Sequence, residues 1–160
     1  MTTDEIFSML DARGIGGMMF HQQMADYYDF LNMCEYKDLH CERFIEESKS
    51  LRKLHCYYIN HYGRLINQKK VDDPEAIPQS WQRYSRDDVG ASDRHKFIIA
   101  GFEKWITWEK DTKDILSKSL KDLFDNGDYL AAEMLMDRLD DVEEEILMAK
   151  RMYIQLKDSV

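Results

Sequence analysis

Apolar residues recur at steps of three and four along most of this chain. That spacing places them on one face of an α-helix. Four main helices are predicted. The first covers roughly residues 17–33, with a stripe of Phe20, Met24, Tyr27 and Leu31. Residues 3–11 extend it backward if "RGIGG" is a close-packing site, and stand apart if "RGIGG" is a break. The second covers about 38–66, with Phe44, Glu47, Leu51, Leu54, Tyr58 and Leu65 on one face. The third starts near Asp93, a residue suited to an N-cap, and carries Ile98, Phe102, Trp105, Glu109, Leu116, Leu120 and Leu123. The fourth covers about 129–157, with Leu135, Leu139, Val142, Ile146, Ala149, Tyr153 and Leu156.

The connections then suggest how the helices pack. "DNGD" is short, so the third and fourth helices should be antiparallel neighbours. Residues 67–92 hold both prolines and little periodicity. They read as a long connection inside one domain spanning 1–160. A connection of that length can run along a bundle and make the second helix parallel to the third.

Two residues break the apolar stripes. Glu47 and Glu109 each sit among apolar neighbours, one on the second helix and one on the third. A buried carboxylate is costly unless it is paired, protonated or bound to a metal. If both face the bundle centre, they are hard oxygen donors suited to iron or manganese. The bland alternative is an ion pair or an outward turn to water, with Arg43, Lys53 and Lys113 as partners in reach.

Composition narrows the function classes. The chain of 160 residues has 44% hydrophobic and 33% charged residues, with only two Pro and seven Gly, which favours an all-α fold. A net charge of −9 argues against nucleic-acid binding. The start "MTTDEIFSML" does not read as a signal peptide, and no apolar run reaches the length of a membrane span. Cys34, Cys41 and Cys56 lack paired spacing and fit reduced thiols in a cytoplasm. The six acids from Asp137 to Glu145 read first as a solvated helix face. The five His form no recognised metal motif. Trp105 reads as core and Trp108 as an interface residue.

"ERFIEESKSLRKL", "HYGRLI", "DDPEAIPQSW", "FEKWITWEKDTKDILSKSL" and "LDDVEEEI" together resemble the ferritin-like superfamily, over roughly residues 18–157. The resemblance implies a four-helix bundle with one long crossover between helices two and three. It also implies a di-iron carboxylate centre, with a bridging ligand at Glu109 and a second ligand at Glu47. These are the two residues that break the stripes. The family's helix-two pattern expects His three residues after Glu47, where this chain has Ser50. The helix-one Glu position falls on Gln22, beside His21, Gln23 and Asp26. The helix-four ligand position falls at Val142 or Glu143, beside Asp140, Asp141 and Glu144.

The implied site is therefore an altered one: metal ligands among Glu47, Glu109, Gln22, His21, Glu143 and Glu144, binding iron or manganese. The activity implied is at most that of a ferroxidase or di-metal oxidase. The alternative is a bundle without metal that serves as a structural or interaction module. Little chain follows the fourth helix, so a dimer or small homo-oligomer is expected rather than a large cage. Metal ions are the expected partners, with no nucleic acid and no membrane.

Overall fold

The structure is a computed structural model, and it describes residues 1–77, 81–82 and 84–159. Four α-helices account for most of it: α1 (Thr3–Phe30), α2 (Cys34–Tyr62), α3 (Ala91–Asp125) and α4 (Tyr129–Asp158). No strand occurs among the described residues. None of the helices is long and apolar enough to cross a membrane.

Local signals set the helix ends. The Thr2 side chain caps α1 by accepting from the Glu5 N–H. At its other end Asn32 adopts φ 59°. The Met33 N–H returns to the Tyr28 carbonyl and the Asn32 N–H to that of Asp29. The α3–α4 turn closes in the same way. Gly127 takes φ 81°, with Asp128 N–H on Leu123 and Gly127 N–H on Phe124. Both are left-handed caps that absorb otherwise orphaned carbonyls and reverse the chain tightly.

The sequence reading differs from this at several boundaries. α1 is continuous through residues 13–17, so "RGIGG" is a close-packing site. A Cβ on Gly14 would stand 2.9 Å from Leu51 Cδ1, and one on Gly17 would stand 3.2 Å from Glu47 Cδ. Small residues there let α1 and α2 approach. α2 starts at Cys34 and stops at Gly63, whose φ of 64° ends the helix. Leu65 therefore lies beyond the helix and is 81% exposed, while Ile66 is buried instead. Gly90, rather than Asp93, occupies the N-cap of α3, and Asp93 falls in its first turn. The connection contains a short 3-10 helix, Arg86–Asp88, capped by Ser85. Its residues 78–80 and 83, which include Pro78, lie outside the described residues.

α1 packs along α2, and α3 along α4. Phe7 meets Tyr58, and Tyr28 meets Tyr36, so α1 and α2 are antiparallel. Arg13 reaches Thr112, and the Tyr28 hydroxyl donates to the Ile98 carbonyl, so α1 also runs antiparallel to α3. The core falls into two apolar clusters. One gathers Phe7, Leu54, Leu116, Leu135 and Val142. The other gathers Met24, Tyr28, Phe102, Trp105 and Ala149. A layer of buried polar side chains lies between them.

Candidate metal centre

Each helix contributes to the polar layer: His21 from α1, Glu47 from α2, Glu109 from α3, and Arg138 and Glu145 from α4. Each of the three acids lies at helical spacing from apolar core residues of its own helix, so core packing pulls it inward. Glu47 precedes Leu54 by seven, Glu109 follows Trp105 by four, and Glu145 follows Val142 by three.

His21, Glu47 and Glu109 are all buried, and each offers a ligand atom lying within 4.8 Å of the other two. His21 Nε2 is 3.6 Å from Glu109 Oε1 and 3.8 Å from Glu145 Oε1. Among the described residues, both Glu109 oxygens and His21 Nε2 are buried without a hydrogen-bond partner. Such orphans are rare in a native core. One imidazole nitrogen and two carboxylates thus lie close enough together to serve as ligands of one cation.

Other contacts hold the rest of the layer in place, although His40 Nε2 is also buried without a partner among the described residues. Arg138 Nη2 donates to Glu47 Oε1 at 2.6 Å. Trp105 Nε1 donates to Glu145 Oε1 at 3.0 Å, and Arg43 Nη1 lies 3.7 Å from Glu145 Oε2. His21 Nδ1 meets His40 Nδ1 at 2.9 Å, so one must donate and the other accept. If Nδ1–H of His21 donates, its Nε2 lone pair faces Glu109 and is free to act as a ligand. His40 then carries its own proton on Nε2.

Burial sets the charge states. Desolvation, with the Glu47 charge second, pushes Glu109 up to about 8. Desolvation, with the Glu109 charge second, pushes Glu145 up to about 7. Desolvation lowers His21 to about 4 and holds His40 well below its ordinary value, so both rings are neutral at pH 7. Burial alone would lower Arg138, but the charge and hydrogen bond of Glu47 outweigh it and raise it. The layer therefore keeps one fixed ion pair, Arg138–Glu47, beside two carboxyl groups that hold protons near pH 7 and would have to exchange them for a cation.

The sequence-derived candidates separate clearly. Glu47, Glu109 and His21 meet. Gln22 is exposed and donates to Asp26, because it sits about 100° round α1 from His21. Glu143 is exposed and pairs with Lys113 at 3.3 Å. Glu144 is also exposed. The acid that α4 does turn inward is Glu145, one residue further on, and sequence reasoning missed it. The signal was present, since Glu145 lies three after Val142 and four before Ala149. Arg138 was missed in the same way, three after Leu135 and four before Val142. Trp108 is half-buried, stacked on Phe20 at 5.0 Å with the Arg13 guanidinium 3.5 Å from its ring centroid.

No protein-family model matches the chain, and no curated protein matches it.

Proposed function

We propose that this protein is a ferritin-like bundle that binds one divalent metal ion, iron or manganese, at an altered carboxylate centre. The observation that carries the reading is the buried trio of His21, Glu47 and Glu109, with both Glu109 oxygens and His21 Nε2 unpartnered among the described residues. Glu145 stands next to them as a fourth donor. Oxygen donors with one imidazole suit Fe(II) or Mn(II). Bound iron would supply one-electron redox chemistry, while this chain's residues hold the ion and exclude water from it. The ferritin-like connectivity is supported by α1 running antiparallel to both α2 and α3. That arrangement makes α2 parallel to α3 and requires the long crossover.

Arg138 occupies one oxygen of Glu47. A paired centre with two adjacent ions is therefore not expected, and rapid Fe(II) oxidation by dioxygen should be weak or absent. We also propose a cytoplasmic protein, in line with its three free cysteines. A small homo-oligomer is proposed as well, supported by Met136, Leu147 and Ile154, which are exposed on one face of α4.

The second reading is a bundle without metal, used as a structural or interaction module. The Arg138–Glu47 pair favours it, because a guanidinium already supplies the cation that Glu47 needs. Elemental analysis and anaerobic titration with Fe(II) and Mn(II) separate the two readings. About one ion per chain, lost in Glu109→Ala, supports the metal centre. Binding no greater than that of Glu109→Ala supports the module.

A further inference from the structure

A cavity of about 220 Å³ lies beside the polar layer, on the side of the cluster around Leu54. Leu10, Leu51, Leu54, Leu116 and Leu135 supply apolar wall, and Gly14 and Gly17 leave the α1 side without side chains. Lys53, Asp137 and Asp141 also line it and are exposed, so it opens between α2 and α4.

The charged lining drawn back from solvent is Arg13, Glu47 and Arg138, with Ser50 and Thr112 as neutral polar neighbours. Glu47 and Arg138 neutralise each other. Arg13 bonds only neutral acceptors, Thr112 Oγ1 at 2.9 Å and the Trp108 carbonyl at 2.8 Å. Among the described residues its Nη1 has no hydrogen-bond partner, nor have Nε and Nη1 of Arg138. The cavity thus combines a leucine wall with two guanidiniums against one carboxylate. At the mouth Lys53 is offset by Asp137 and Asp141, and Arg13, which feels the charges of Glu109, Asp111 and Glu47, makes no ion pair among the described residues.

We propose that this cavity binds a small monocarboxylate with an apolar body, its head on Arg13 and Arg138 and its tail along the leucines. Guanidinium and carboxylate match as a planar fork, and pockets of this kind orient an apolar ligand through a few polar groups. An apolar cavity of ~150 Å³ accepts benzene. By that scale, 220 Å³ takes a ligand of about eight to ten non-hydrogen atoms, the size of hexanoate to octanoate. The inference does not rest on the metal reading.

The test is calorimetric titration of the full chain with a chelator present, which separates its failure from that of the metal centre. Hexanoate and octanoate are compared with 1-octanol, octylamine and myristate. Octanoate is expected to bind at least about tenfold tighter than 1-octanol or octylamine, because only the carboxylate answers the free guanidinium. Myristate should bind no tighter than octanoate. Arg13→Gln should weaken octanoate by about tenfold or more and leave 1-octanol unchanged, while Arg13→Lys should keep part of the preference. Equal binding of octanoate and 1-octanol overturns the proposal. So does the absence of octanoate binding at millimolar concentration, or a steady gain in affinity up to myristate. The wild-type comparison decides the matter even if a variant fails to fold.

Discussion

Arg138 Nη2 stands 2.6 Å from Glu47 Oε1, across the bundle from α4 to α2, and only 22% of the Arg138 side chain is exposed. Among the described residues this ion pair is the shortest charge contact in the polar layer. Its strength lies less in net stabilisation than in the cost of breaking it. Taking both charges from water is expensive, and removing one partner leaves the other buried alone.

Arg138→Ala should therefore destabilise the metal-free protein by about 3–5 kcal/mol. Replacing both residues by apolar ones, Arg138→Met with Glu47→Leu, should cost much less than the sum of the single changes. Urea denaturation of the two single variants and the double variant measures this. Added Mn(II) should restore Arg138→Ala more than it stabilises wild type, since Glu47 then needs another cation.

The buried acids predict a pH dependence. Glu109 and Glu145 are raised from 4.5 to about 8 and about 7. The folded state thus holds protons that the unfolded chain has released. The stability they contribute is fully present below about 4.5 and is lost as pH rises through 7 to 8. His21, lowered from 6.5 to about 4, acts the other way: its contribution is present above 6.5 and lost as pH falls through 4. Above 6.5 the His21 contribution is flat, so metal-free stability should decline between pH 6.5 and 8. Each group adds at most ~1.4 kcal/mol per pH unit. Glu109→Gln should flatten part of that decline, as read from urea midpoints across the range.

Ser50→His should raise metal affinity. Ser50 is half-buried, lines the cavity, and lies three residues after Glu47, so an imidazole there falls on the same helix face. Isothermal titration with Mn(II) should give binding at least about tenfold tighter than wild type, the scale of one added nitrogen ligand. An unchanged isotherm would count against Glu47 as a ligand.

Gly101→Ala tests the packing of α1 on α3. A Cβ there would stand 2.8 Å from Tyr28 Cζ and 3.0 Å from Met24 Cε. Tyr28 cannot yield cheaply, because its hydroxyl donates to Ile98 and its ring stacks on His40. The gain in helix propensity, about 1 kcal/mol, should be outweighed by overpacking of about 1–3 kcal/mol. A lower urea midpoint is the expected result.

The helices were legible because their stripes are regular. The Phe20–Met24–Tyr27–Leu31 face is buried throughout, and so are Phe102, Trp105 and Leu116. Glu47 and Glu109 stood out for the same reason, as exceptions within a stripe. Glu145 did not, because it is the last acid of the run from Asp137 and an acidic run reads as one solvated face. In a helix, consecutive residues point about 100° apart, so such a run must place some members inward. Two partnerships were not readable at all. Arg138 meets Glu47 from 91 residues away, and His40 meets His21 because a tight turn folds α2 back on α1. Both depend on how helices pair, which periodicity within one helix does not carry.

The glycines of α1 bear on the order in which the chain assembles. Gly14, Gly16 and Gly17 fall within one turn and together weaken the isolated helix by roughly 3 kcal/mol. What compensates comes from other helices: Leu51 and Glu47 of α2 against Gly14 and Gly17, and Trp108 of α3 against Gly16. An α1 peptide alone should split there into two short, frayed segments. The middle of α1 becomes continuous only once its neighbours arrive, so its amides should exchange with solvent through opening of the α1–α2 hairpin rather than by local fraying. The segment that brings His21 to the other helices is thus ordered by the same contacts that close the bundle around it.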